Sequence, residues 1–188
     1  MLLVGTALCA PKCCLGQPHR YLSDICLLDA DRDALAARIK LIDAAVCRID
    51  MAYYAVDTGS VSLGLLEAMC QAAQRGVRSR VLVDAMQTDL PPPLTALLQS
   101  RGVEVRFYHP IRVTRPRQIN RRMHVKLLVA DHEAMVIGSR NLQDTHFGLR
   151  EVNFVDCDLL IGGQICAAAA NYFDRLWTSG DVESADSQ

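Results

Sequence analysis

Met123-His124-Val125-Lys126-Leu127-Leu128-Val129-Ala130-Asp131, followed a short apolar run later by Gly138-Ser139-Arg140-Asn141, spells H-x-K-x4-D-x6-G-S-x-N. The apolar, β-prone runs 123–130 and 134–137 flank the polar turn Asp131-His132-Glu133 and read as a pair of strands. On a strand, His124 and Lys126 leave the same face because they lie two residues apart. An imidazole beside an ammonium suits attack on a phosphorus centre. The ring can act as nucleophile while the lysine offsets charge on the non-bridging oxygens. Ser139 and Asn141 can add neutral hydrogen-bond donors. If each residue type fills roughly one position in twenty, six fixed positions coincide about once in 10^7 to 10^8 starts. A buried histidine next to a solvated lysine by coincidence is the poorer reading.

Outward from this pair, strands alternate with helices. Residues 31–46 read as a helix with Leu35, Ile39, Ile42 and Val46 on one face, and residues 48–56 as a strand. Residues 60–75 form a second helix, stopped by Gly76, and residues 77–84 a strand. Pro91-Pro92-Pro93 leads into a helix over 94–100, ended by Gly102, before a strand over 103–108. A last strand is expected over 154–161 and a last helix over 164–177. This alternation implies a layered α/β/α domain with a mixed, largely parallel sheet over residues 30–178. An apolar, Cys-containing leader (1–29) precedes it, and a polar, frayed tail (179–188) follows.

With 188 residues, the chain can bury one sizeable core, and 51% hydrophobic with 22% charged residues is a globular balance. A formal net charge of −1 argues against a protein that coats nucleic acid. The charge is uneven, however: Arg112, Arg115, Arg117, Arg121 and Arg122 precede His124 with no acidic residue among them. Arginine forks suit phosphates, so Arg121 and Arg122 are candidates for substrate binding.

The eight cysteines form no C-x2-C pair, so a zinc site is not expected. Cys47, Cys70, Cys157 and Cys166 lie in apolar stretches and read as small core residues. Cys9, Cys13, Cys14 and Cys26 could pair only in an oxidising compartment, and a reducing one is the better fit. Residues 1–10 are apolar but lack a cationic start and are too short to cross a bilayer. The expected location is cytoplasmic, peripheral to the membrane.

The motif resembles the signature of the phospholipase D superfamily. The runs Arg75–Asp84, Asn120–His124, Gly138–Gly148 and Asp156–Leu160 are similar to one half of a bacterial cardiolipin synthase-type phosphatidyltransferase. The resemblance implies that a histidine attacks phosphorus to give a phosphohistidine, and that a second histidine, from a second copy of the motif, protonates the leaving oxygen. Water or an alcohol then takes the group, and no metal or other cofactor is required. On this chain His124 would be nucleophile or general acid, Lys126 and Asn141 would hold phosphate oxygens, and Ser139 would support them. The motif aspartate falls on Asp131, and the acidic residue that orients the histidine falls on Asp156.

One departure matters. The sequence holds one such motif, and the implied mechanism needs two histidines. His19, His109, His132 and His146 have no lysine two positions on and read as ordinary loop or surface residues. The motif is therefore expected to be completed by a twofold homodimer or by a second motif-bearing half that this sequence does not contain. The expected enzyme cleaves a phosphodiester or transfers a phosphatidyl group on a phospholipid substrate, with peripheral membrane contact. The alternatives are a homodimeric single-motif endonuclease of the same superfamily, nucleic acid being the less expected partner, and a noncatalytic half that completes a partner chain.

Overall fold

In a computed structural model, residues 24–110 and 121–185 are described. Most of the expected leader, the arginines at 112, 115 and 117 and the last three residues lie outside them.

The elements run β1 (Ile25–Leu28), α1 (Asp31–Ala44), β2 (Arg48–Tyr53), α2 (Ser60–Gln74), β3 (Arg78–Asp84), α3 (Pro92–Ser100) and β4 (Val103–Tyr108). After the basic segment come β5 (Lys126–Ala130), β6 (Ala134–Gly138), a 3-10 turn (Asp144–His146), β7 (Asp158–Gly162), α4 (Ile165–Trp177) and β8 (Val182–Ser184). The eight strands form one mixed sheet in the order β1-β7-β6-β5-β2-β3-β4-β8. Parallel pairing is confined to β2–β3 and β3–β4, the pairs joined through crossover helices. β5 and β6 pair antiparallel, because the turn at 131–133 is too short for a crossover, and β7 pairs antiparallel with β6.

The sheet is buried on both faces, which is why its central strands read as continuous apolar runs. Successive residues point to opposite sides. Met51, Val81 and Val83 pack with Ile42, Leu65, Leu66 and Met69 under α1, α2 and α3. Ala52, Leu82, Leu127 and Val129 face Ala170, Phe173 and Trp177 of α4. The result is the expected α/β/α sandwich.

The sheet is mixed but mainly antiparallel, not largely parallel as the alternation implied, because β5, β6 and β7 and both edge strands pair antiparallel. Three further details differ from the sequence reading. First, α1 buries Ala34, Ala37, Arg38 and Ile42, leaving Ile39 and Val46 exposed. The face is rotated because the Arg38 guanidinium enters the core, where it pairs with Asp158 Oδ2 at 2.9 Å and donates to Tyr53 Oη at 3.0 Å. Second, the sheet extends beyond the anticipated domain at both ends: β1 pairs with β7, and β8, inside the stretch read as frayed, pairs with β4. Third, β7 begins at Asp158 rather than at residue 154. Cys157 is therefore exposed, whereas Cys70 and Cys166 are buried.

Candidate active site

β2, β3 and β4 end on the rim of the sheet where β5 begins and β6 ends, as the pairings Tyr53–Lys126 and Gly138–Asp158 show. The crevice beyond the carboxyl ends of parallel strands is where open α/β sheets bind ligands.

His124 is hung on this rim by its neighbours. Asp84, the last residue of β3, accepts the Met123 N–H at 3.0 Å and the Arg122 Nη1 at 3.2 Å. Met123 is buried in the α4-side core. Held from both sides, the backbone presents His124 just ahead of β5, exposed, with its ring stacked on Tyr54 at 4.2 Å between centroids. Lys126 opens the strand. Its Nζ donates to the His124 carbonyl at 3.0 Å and lies 5.0 Å from the centre of the Tyr54 ring. Burial lowers the pKa of this ammonium, against the opposing pull of the Asp156 charge.

Ser139, Asn141 and Asp156 meet on the other side of the rim. Ser139 Oγ donates to Asp156 Oδ1 at 2.7 Å. Asp156 Oδ2 lies 2.6 Å from His146 Nδ1, and His146 Nε2 lies 3.4 Å from Asn141 Nδ2. Asn141 Oδ1 accepts the Ala55 N–H at 3.2 Å, one residue beyond the tyrosine under His124. Burial pushes the Asp156 carboxyl up. The hydrogen bonds from Ser139 and His146 and the nearby Arg140 charge more than offset this, leaving its pKa below the ordinary carboxylate value. Gly138 allows the strands to close here. A Cβ there would come 2.6 Å from the Cys157 carbonyl oxygen and 2.5 Å from Asp158 Cα.

Three expected roles read differently in the structure. Asp131 is not in this group. It follows the far end of β5, where its carboxylate accepts the N–H groups of Val46, Cys47 and Arg48, each at 2.8 Å. At about 3.3 Å per residue, the strand carries it roughly 16 Å from Lys126. Asp156 lies on Ser139 and His146 rather than on His124. Arg122 is taken up by Asp84 and by the His109 carbonyl, which Nη2 reaches at 3.0 Å, so it braces His124 instead of offering a free fork. Arg121 is exposed.

Sequence reasoning missed two residues. His146 is buried against Phe154, the rings stacked at 4.5 Å. It comes from a 3-10 turn, which leaves no periodic signature. Asp158 is fully buried between Arg38 and Arg140. Arg140 occupies the variable position of G-S-x-N, and its guanidinium also reaches the carbonyls of Leu28, Asp29 and His146 and the Asp31 carboxylate. The same network that supports α1 thus anchors the loop carrying Ser139 and Asn141.

Comparison with known proteins shows the family. Residues 39–177 match the family model described as cardiolipin synthase, PLD-like domain. The chain is 34% identical over 161 residues to cardiolipin synthase C of Escherichia coli, covering 80% of this chain and 34% of that protein. It therefore spans about a third of the length of the curated relatives it matches. Among solved structures, phosphatidylserine synthase of Haemophilus influenzae superposes with a TM-score of 0.71 at 15% identity, over 86% of this chain and 38% of that one. Nuc of Salmonella typhimurium, a phospholipase D family member, superposes with a TM-score of 0.65 at 14% identity, over 87% of this chain and 98% of that one. With the family model covering most of its length and the motif on the sheet rim, the chain belongs to the phospholipase D-like domain family of the cardiolipin synthases.

Proposed function

We propose that this domain cleaves or transfers phosphatidyl groups of phospholipids through a phosphohistidine on His124, working with a second motif-bearing half. The observation that carries the reading is the exposed imidazole of His124 on the rim beside Lys126, with the amide of Asn141 nearby. A nucleophile must be reachable, and charge on the phosphoryl oxygens needs preorganised donors, which a lysine and an amide supply. Attack by an imidazole nitrogen on phosphorus forms a P–N bond and expels an alkoxide, which takes a proton from the second histidine. Water or an alcohol then attacks the same phosphorus and returns the imidazole. The described residues provide one exposed histidine in this role, so the acid is supplied by the second copy or half. Lipid is favoured by the similarity to cardiolipin synthases and by the near-neutral charge of the chain. Arg121 serves substrate or anionic headgroups, worth about 1 kcal/mol near a charged surface.

A second reading, a homodimeric endonuclease, gains weight from Nuc. That chain is matched along 98% of its length, so a member of the same superfamily exists at this size.

One preparation of the protein, its mass in solution measured, is offered phosphatidylglycerol vesicles and single-stranded DNA, and rapidly quenched with labelled lipid. The expected outcome is lipid turnover by an assembly, unaffected by EDTA, with acid-labile label on His124 and no turnover by His124→Ala. DNA cleavage without lipid turnover establishes the endonuclease instead. Turnover abolished by EDTA and restored by a divalent metal overturns the mechanism.

A further inference from the structure

The geometry points to His146 as the residue that orients the phosphate-facing amide of Asn141, acting as a neutral imidazole with its proton on Nδ1. This rests on the reading of Asn141 as a donor to phosphate oxygens. The argument follows from which atoms can donate. Asp156 Oδ2, 2.6 Å from Nδ1, is a carboxylate oxygen, which accepts, as its partner Oδ1 does from Ser139 Oγ. Nδ1 must carry the proton. Asn141 has its oxygen committed to the Ala55 N–H, so its nitrogen is the atom turned to Nε2, 3.4 Å away. An amide nitrogen only donates, so Nε2 must present its lone pair. The two requirements together select one tautomer of the uncharged ring.

The bonds along Ser139–Asp156–His146–Asn141–Ala55 therefore have one set of directions, converging from both ends on Asp156. Ser139 and His146 both donate to Asp156, Asn141 donates to His146, and Ala55 donates to Asn141. Rotating the Asn141 amide would set its nitrogen against the Ala55 N–H and turn its oxygen to Nε2, where two lone pairs would meet. With the amide locked, its second N–H is left for a substrate oxygen. An unlocked amide would present oxygen to phosphate in part of the population and repel it. His146 is itself fixed by stacking on Phe154 and by its carbonyl, which accepts from Arg140 Nε at 3.0 Å. It is a positioning residue, acting on the ligand through Asn141.

Two measurements on the full chain test this. Long-range 1H–15N spectra, with the His146 signals assigned by their loss in His146→Phe, should show the neutral Nδ1–H form. The affinity for inorganic phosphate should then be measured in a double-mutant cycle. Asn141→Ala should weaken binding about tenfold or more, as for a hydrogen bond to a charged group. His146→Phe, which keeps the ring stack, should weaken binding nearly as much, and the double variant no more than Asn141→Ala alone. His146→Gln, which can put an acceptor near the Nε2 position, should bind better than His146→Asn, which reaches only toward Asp156. An Nε2–H or doubly protonated ring, or effects of the two substitutions that simply add, overturns the proposal. So does a wild-type protein that binds no phosphate, since Asn141 then has no such role. Turnover of a phosphodiester and its loss in His124→Ala test the reaction separately, so either reading can fail while the other stands.

Discussion

Replacing Asp131 separates a motif residue that does chemistry from one that holds the fold. Its carboxylate accepts three backbone N–H groups at the start of β2, and its own backbone is left-handed, with φ of 52°. A hydrogen bond to a charged group contributes about 1.5–3 kcal/mol. The Val46 N–H is exposed, so water replaces that bond, while those of Cys47 and Arg48 are part-buried. Losing the latter two costs about 3–6 kcal/mol. Alanine adds roughly 1–2 kcal/mol for the left-handed backbone, whereas asparagine tolerates that conformation and keeps one acceptor oxygen. Asp131→Ala is therefore expected to lose about 4–8 kcal/mol and Asp131→Asn about 1–3 kcal/mol.

Urea unfolding followed by circular dichroism gives both values, and the midpoint should fall at constant slope. Phosphodiester turnover is then measured at a temperature where Asp131→Asn remains folded, and expressed per folded molecule. It should match the wild type within a factor of about three, because some 16 Å of strand lies between Asp131 and Lys126. An Asp131→Asn protein that unfolds at the wild-type urea concentration yet turns over a hundredfold more slowly would refute this reasoning and return Asp131 to the chemistry.

Lys126→Met should lower the rate by about 10^2 to 10^3, the usual effect of removing one charge-stabilising donor. Because burial lowers the pKa of Lys126, its charge fades below the ordinary 10.5, and activity should fall at alkaline pH before that value. Lys126→Arg should move that limb upward. In the same window the unfolded chain binds more protons than the folded one, so stability should rise with pH, and Lys126→Met should abolish the rise. Asp156 has the same sign in the acid range: a lowered pKa contributes stability above the ordinary 3.8, lost as pH falls through the folded value. Ser139→Ala removes one of the bonds holding it down, and the acid-unfolding midpoint should move to higher pH. Arg140→Lys keeps the charge but not the fork that reaches Asp158, Asp31 and three carbonyls. A loss of about 3–5 kcal/mol in urea unfolding is expected, the cost of breaking a buried pair.

The architecture was legible where apolar periodicity is strong. The α2, β3, α3 and β4 segments fall within two residues of their expected bounds, because Gly76, the prolines at 91–93 and Gly102 punctuate them. The α1 face was misread for a different reason. Periodicity assumes that charged residues face water, and Arg38 does not, since its partner Asp158 lies 120 positions away in the chain. No local pattern carries that pairing. The edge strands were missed because a strand of three or four residues has too little alternation to register. β8 is fixed by its register against β4 rather than by its own sequence.

Within the site, legibility follows the same division. His124, Lys126, Ser139 and Asn141 stand out as a pattern because their spacing is tied to one hairpin, β5–β6, whose geometry is local. What supports them is not local. Asp84 comes from β3, Tyr54 from the end of β2, and Asp156 and His146 from the segments on either side of an irregular stretch. A residue of G-S-x-N that looks variable, Arg140, is the most heavily bonded of the four and ties the loop to β1, α1 and β7. In this chain the variable position of the motif fastens the loop, while the aspartate within it ties the far end of β5 to the start of β2. The groups left at the rim, the exposed His124 and Ser139 with the part-exposed Lys126 and Asn141, are those a ligand or a second copy could reach.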